Sequence, residues 1–159
     1  MSACAEPVAA TSFSFLRGAS SPQDMVLTAL MLGHEGIGIA DRNTVAGVVR
    51  AWGALEDLRN GELPAEKVRD GSGPGEYLWI ERSDETVRPF TLEEIARRAK
   101  DFKLAVGARL VFCDGTPDIV AYPQDRKGWG DLCRLLTEGN RRAEKGDCIL
   151  RLDDLVTHC

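Results

Sequence analysis

No apolar run in this 159-residue chain approaches the roughly 20 residues that a membrane-spanning helix needs. The N-terminus lacks a basic stretch followed by an apolar segment, so no signal peptide is expected, and the reading is a cytoplasmic chain with no membrane partner. There is no excess of positive charge either. Lys and Arg number 20 against 25 Asp and Glu, a net charge of −5. That excludes a generally basic nucleic-acid binder, so any contact with DNA is local or belongs to another part of a larger protein. No G-x-G-x-x-G follows the first expected strand and no P-loop lysine motif occurs, which argues against dinucleotide and P-loop sites.

Cysteine pairs at metal-ligand spacing are also missing. The five cysteines (Cys4, Cys113, Cys133, Cys148 and Cys159) are odd in number and contain no C-x-x-C. The two histidines, His34 and His158, are far apart in sequence. This pattern does not suit a zinc site and fits reduced cysteines serving as small apolar residues.

What is present reads as alternating strand and helix. Residues 7–16, ending in "TSFSFL", read as a buried strand. Ser21, Pro22 and Asp24 supply the cap, first position and N3 acid of a helix that Gly33 or Gly36 stops. "IGIAD" reads as a short buried strand ending at Asp41. "RNTVAGVVRAWGALEDLRNG" follows as a helix with Val45, Val48, Val49, Trp52 and Leu55 on one face. Trp52 and Trp129 are expected as core anchors.

Residues 61–90 are charged and rich in Gly and Pro. They read as an inserted loop, in which "EYLWI" is either a short strand or a sticky patch. Thr91 and Glu94 form a capping box for a helix running to about Phe102. "KLAVGARLVF" is a strand, "CDGTP" a turn and "DIVAY" a second, antiparallel strand. "GWGDLCRLLTEGN" is a helix, and a basic loop with Arg141, Arg142 and Lys145 follows it. The whole is an α/β chain of about four mostly parallel strands and four or five helices, too short to close a barrel.

"TSFSFLRGAS", "GIADRNTVAGVVRA", "VGARLVF" and "DIVAYPQDRKGWGDLCRLLTEGNRRAEKGDC" together carry a resemblance. They resemble the start of the PHP (polymerase and histidinol phosphatase) domain of bacterial C-family DNA polymerases, and are similar to its error-prone, ImuC-type branch. The resemblance covers residues 7–60 and 104–156. It implies a partial, incomplete PHP-type distorted (β/α)7 barrel over residues 1–159, with the chain ending midway through that domain. Exposed sheet edges are then expected to make the isolated chain poorly stable or prone to associate.

In the family the barrel face holds metal ions on His, Asp and Glu side chains, and some members use them for proofreading hydrolysis. Carried over residue by residue, the opening H-x-H falls on Val8 and Ala10. The next aspartate falls on Arg17. In the T-D-H-G motif Asp41 matches the aspartate, while the histidine becomes Arg42. The strand glutamate falls on Arg109 and the following histidine on Asp118. Of the six positions other than Asp41, two are apolar, and three carry permanently cationic guanidinium groups that accept no metal.

The resemblance therefore implies a segment with no catalytic residue and no metal or other cofactor of its own. Mg²⁺ is expected only on palm carboxylates that this chain does not contain. The implied function is the PHP segment of an error-prone, translesion-type polymerase. Its partners would be the rest of that chain, DNA through the parent enzyme, and accessory mutagenesis proteins. Two alternatives remain open at this stage: a stand-alone PHP-like metal-dependent phosphoesterase and a non-catalytic interaction module. Arg17, Asp41, Arg42, Arg109 and Asp118 form either a salt-bridged cluster filling the old cavity or an anion site.

Overall fold

The computed structural model describes residues 4–62, 77–80 and 87–158. Strand β1 (Ala5–Ala9) leads to helix α1 (Pro22–Met31), then β2 (Gly36–Arg42) and α2 (Val48–Arg59). A two-stranded antiparallel ribbon, β3 (Tyr77–Ile80) and β4 (Val87–Phe90), precedes α3 (Leu92–Asp101). Then come β5 (Lys103–Leu110), β6 (Ile119–Ala121), α4 (Arg126–Arg142) and α5 (Leu152–His158). The main sheet has the order β1-β2-β5-β6, parallel except for the antiparallel β6. This is the expected α/β architecture with mostly parallel strands. Within the 61–90 segment, read as a loop, the strand reading of "EYLWI" holds for Tyr77–Ile80; residues 63–76 and 81–86 lie outside the described residues.

Strand β2 shows why the sheet has two different faces. In "GIGIADR" the large residues Ile37 and Ile39 alternate with Gly36, Gly38 and Ala40. Alternation places the isoleucines on one face, in a core with Val26, Leu30, Leu55, Leu58 and Ile95 of α1, α2 and α3. A second core joins Ala108 and Leu110 of β5 to Leu132, Leu135 and Leu136 of α4. The small residues floor the opposite face.

Tyr122, just past β6, lies across that floor. Its hydroxyl donates to the carbonyl of Pro7 on β1. A Cβ on Gly107 would stand 2.6 Å from the Tyr122 ring, and one on Gly38 would stand 2.6 Å from its hydroxyl. In a flat sheet β6 and β1 are three strand spacings, about 14 Å, apart. One tyrosine bridges them only because the sheet curls into a half-barrel, with Tyr122 on the concave side.

Several sequence readings are corrected. The first strand stops at Ala9, and residues 12–17 form turns. Phe15 and Leu16 are 82% and 88% exposed, and Leu16 has a positive φ of 61°. The cause is polar: Thr11 and Ser14 turn inward to the Asp41 carboxylate, which folds the chain back and throws the apolar side chains outward. The second helix starts at Val48 rather than Arg42, because Asn43 takes a left-handed conformation (φ 49°). Its buried face is Val48, Ala51, Leu55 and Leu58; Val49 is exposed and Trp52 is 52% exposed. Trp52 is therefore no core anchor; the Arg59 guanidinium lies 5.8 Å from its ring centroid instead. Trp129 is only half-buried and joins neither core.

Candidate functional site

The C-terminal ends of the three parallel strands converge on a cleft of about 340 Å³ lined by Ala10, Ser14, Arg17, Ala40, Arg42 and Arg109. Ala10 follows β1, Ala40 and Arg42 end β2, and Arg109 is the penultimate residue of β5. Ser14 and Arg17 come from the loop between β1 and α1. Open α/β sheets present their ligand sites at this end.

The cleft is braced from beneath by Asp41, which is 1% exposed. Its Oδ1 accepts from the Thr11 N–H (2.7 Å) and the Ser14 hydroxyl (2.7 Å), and its Oδ2 from the Thr11 hydroxyl (2.8 Å). Ser14 Oγ in turn accepts the Arg42 N–H at 3.0 Å. Oδ2 also faces Gly47, the N-cap of α2, where a Cβ would come within 2.9 Å of it. Three neutral donors thus hold the carboxylate beside the N-terminus of α2, and no cation pairs with it among the described residues.

Beside Asp41, Asn43 ties β2 to β5. Its N–H donates to the Arg109 carbonyl (2.9 Å), its side-chain amide to the Val111 carbonyl (3.0 Å), and its Oδ1 accepts the Val111 N–H (2.8 Å). Arg42 and Arg109 are cross-strand partners in the β2–β5 ladder. Both arginines consequently line one cleft.

The structure brings together most of the residues singled out from sequence. Arg17, Arg42 and Arg109 share the cleft with Ala10, and Asp41 lies under it. Val8 sits half-buried on β1. Asp118 is exposed just before β6 and does not line the cleft. Ion pairs between the arginines and Asp41 or Asp118 do not form among the described residues: the Asp41 oxygens bond Thr11 and Ser14, and Asp118 lies outside the cleft. Nor does any group of three His, Cys, Asp or Glu converge among the described residues. A cleft edged by three guanidinium groups does not fit a metal cation.

Sequence reasoning missed Thr11, Ser14, Asn43 and Tyr122. The signals were available locally: Thr and Ser three apart inside an apolar run, Asn after a strand end, and glycines inside strands that mark close approach. Tyr122 sits close to charge: burial first, then the Glu6 carboxylate, push its phenol above the ordinary value, and Arg109 opposes them.

A larger cleft of about 840 Å³ adjoins the first, sharing Arg17 and Arg42 and walled by Phe13, Phe15 and Leu16. The basic cluster near the end of α4 is divided. Arg142 holds Asp154 of α5 through two bonds of 2.7 and 3.0 Å, and Lys145 lines the larger cleft. Among the described residues, no helix is long and apolar enough to cross a membrane.

No protein-family model matches the chain. Named proteins do. It is 43% identical over 150 residues to an error-prone DNA polymerase of Mesorhizobium japonicum, covering 92% of this chain and 10% of that protein. It is 41% identical over 148 residues to error-prone DNA polymerase 1 of Rhizobium meliloti, covering 93% and 10%. It is 43% identical over 152 residues to an error-prone DNA polymerase of Brucella abortus, covering 95% and 11%. The chain therefore resembles error-prone DNA polymerases along nearly its whole length while spanning about a tenth of theirs.

Proposed function

We propose that this chain is the N-terminal PHP segment of an error-prone, translesion-type DNA polymerase of the ImuC branch, and that the segment itself is a metal-free, non-catalytic scaffold. The observation that carries the reading is the cleft at the parallel strand ends, where Arg17, Arg42 and Arg109 stand at positions expected to hold metal ligands in PHP domains. The similarity to error-prone polymerases supports the parent activity. Nucleotide addition, with Mg²⁺ on palm carboxylates, would belong to the rest of such a polymerase. The scaffold would work in the cytoplasm, buttressing that catalytic module and meeting accessory mutagenesis proteins and, through the parent enzyme, DNA.

The test is elemental analysis of the purified chain combined with a 3′-exonuclease assay in the presence of added Zn²⁺ or Mn²⁺. Well under one metal per chain and no turnover are expected. One or more tightly bound equivalents, with hydrolysis of a DNA 3′ end, would overturn the reading in favour of a PHP-like phosphoesterase.

A further inference from the structure

We propose that the arginine cleft binds a phosphate-class oxyanion, gripped jointly by Arg17, Arg42 and Arg109. The inference rests on charge and geometry and stands apart from the polymerase reading.

Several arginines elsewhere have partners, whereas the exposed Arg97 and Arg126 have none among the described residues. Arg59 bonds the Ala99 and Phe102 carbonyls and Glu56, Arg134 bonds Asp131, and Arg142 bonds Asp154. The cleft is distinct in gathering three such arginines around one space. None of the three guanidinium groups has a hydrogen-bond or ion-pair partner among the described residues, although they line one space of about 340 Å³. Asp41, a buried carboxylate beneath the cleft, already accepts three bonds from Thr11 and Ser14. Ser14 cannot take the role of anion donor, because its proton goes to Asp41 and its oxygen accepts the Arg42 N–H. Among the side chains that line the cleft, the guanidinium groups are thus the donors left for an anion.

Three like charges in one cleft repel, and an anion relieves all three at once. A carboxylate offers two oxygens and one charge, enough for one guanidinium fork. A phosphate monoester or pyrophosphate offers three or more oxygens and a charge near −2, which matches three forks. The apolar wall of the adjoining cleft, with Phe13, Phe15 and Leu16, is open to the organic part of a phosphoester. The phosphate could thus be free or the end of a nucleic-acid strand.

The experiment is an NMR titration of the arginine Nε–Hε signals of the 159-residue chain at constant ionic strength. The probes are pyrophosphate, a 5′-phosphorylated trinucleotide and its unphosphorylated form. Saturable shifts are expected at Arg17, Arg42 and Arg109 and none at Arg134. Arg109→Gln should weaken pyrophosphate binding roughly tenfold, and Arg109→Lys, which keeps the charge and loses the fork, less than that. Arg42→Gln, at an exposed position, gives the same reading without burden on folding. Tighter binding of the phosphorylated trinucleotide than of pyrophosphate identifies a strand end as the source; equal or weaker binding identifies a free oxyanion. Linear shifts without saturation, an equal response at Arg134, or equal competition by a tri-glutamate peptide would each overturn the proposal, the last assigning the cleft to an acidic protein segment.

Discussion

Thr11 grips Asp41 with both of its donors, the backbone N–H at 2.7 Å and the hydroxyl at 2.8 Å, across thirty residues of chain. The pair closes the loop after β1 onto the end of β2. It fixes where Arg17 and Arg42 enter the cleft, because Ser14 completes the same carboxylate and also receives the Arg42 N–H. Asp41 is thus the keystone of the strand-end loops.

Removing that keystone should cost stability more than it costs charge balance. Asp41→Ala leaves two hydroxyls and an N–H without their acceptor, and a loss of about 2–4 kcal/mol is expected. Asp41→Asn keeps the shape but turns one accepting oxygen into a donor facing Thr11 or Ser14, with a loss of about 1–3 kcal/mol. Gly47→Ala tests the same point from the other side, since its Cβ would press on Oδ2 at 2.9 Å. Urea unfolding of the three variants checks the order. An Asp41→Ala chain as stable as the parent would show that the carboxylate braces nothing.

The concave floor makes a second prediction. A Cβ on Gly38 would lie 2.2 Å from the Pro7 carbonyl oxygen, and one on Gly107 2.2 Å from that of Ala121. Both contacts are to backbone, so Gly38→Ala and Gly107→Ala should each cost about 2–3 kcal/mol. Tyr122→Phe removes only the bond to Pro7, at about 1 kcal/mol. The raised phenol adds a pH signature. Its contribution is fully present below the unfolded-state value of about 10 and is lost as pH rises through the higher folded value. A tyrosinate absorbance titration should show one late step that Tyr122→Phe abolishes.

The helices α1 and α3 were legible because their signals are local. Ser21 accepts the Asp24 N–H, and Thr91 and Glu94 make the capping box their spacing announces. Strands β2 and β5 were legible as short runs between breakers. The loop at residues 11–17 was not, because Phe13 and Phe15 alternate with serines as a strand would, and the carboxylate that overrides that pattern lies far along the chain. The face of α2 was misjudged for a different reason. Size drew attention to Val49 and Trp52, whereas close packing against α1 and α3 selects Ala51 and Ala54. The arginines of the cleft were found from sequence, but their lack of acceptors became visible only once Thr11 and Ser14 were seen on Asp41.

Cysteine reactivity offers a third check on the packing. Burial raises the thiols of Cys133 and Cys148, in Cys148 with help from the Asp147 carboxylate. Cys4 and Cys113 are exposed. The thiolate is the nucleophile, so iodoacetamide at neutral pH should label Cys4 and Cys113 first and Cys133 and Cys148 late. Peptide mapping over time reads the order directly, and early labelling of Cys148 would contradict its placement against the Leu136 carbonyl.

The final prediction concerns α5, whose start is held by two carboxylates. Asp114 Oδ2 accepts the Leu152 N–H (2.8 Å), and Asp154 accepts the Arg151 N–H (2.8 Å) while it pairs with Arg142 of α4. The Leu152 N–H is the largest influence lowering Asp114, and the Arg142 bonds are the largest lowering Asp154. Both folded values thus lie below the ordinary carboxylate range. Their stabilisation is complete above the unfolded-state value of about 3.9 and disappears as pH falls through the folded values. Acid should therefore release α5 before it disturbs the core around Ile37 and Ile39. In a two-dimensional NMR acid titration, amide signals of residues 152–158 should collapse at a higher pH than those of β2. Arg142→Gln removes the main influence on Asp154 and should move that collapse to still higher pH. Simultaneous loss of α5 and β2 signals in both proteins would mean that these carboxylates do not govern the docking.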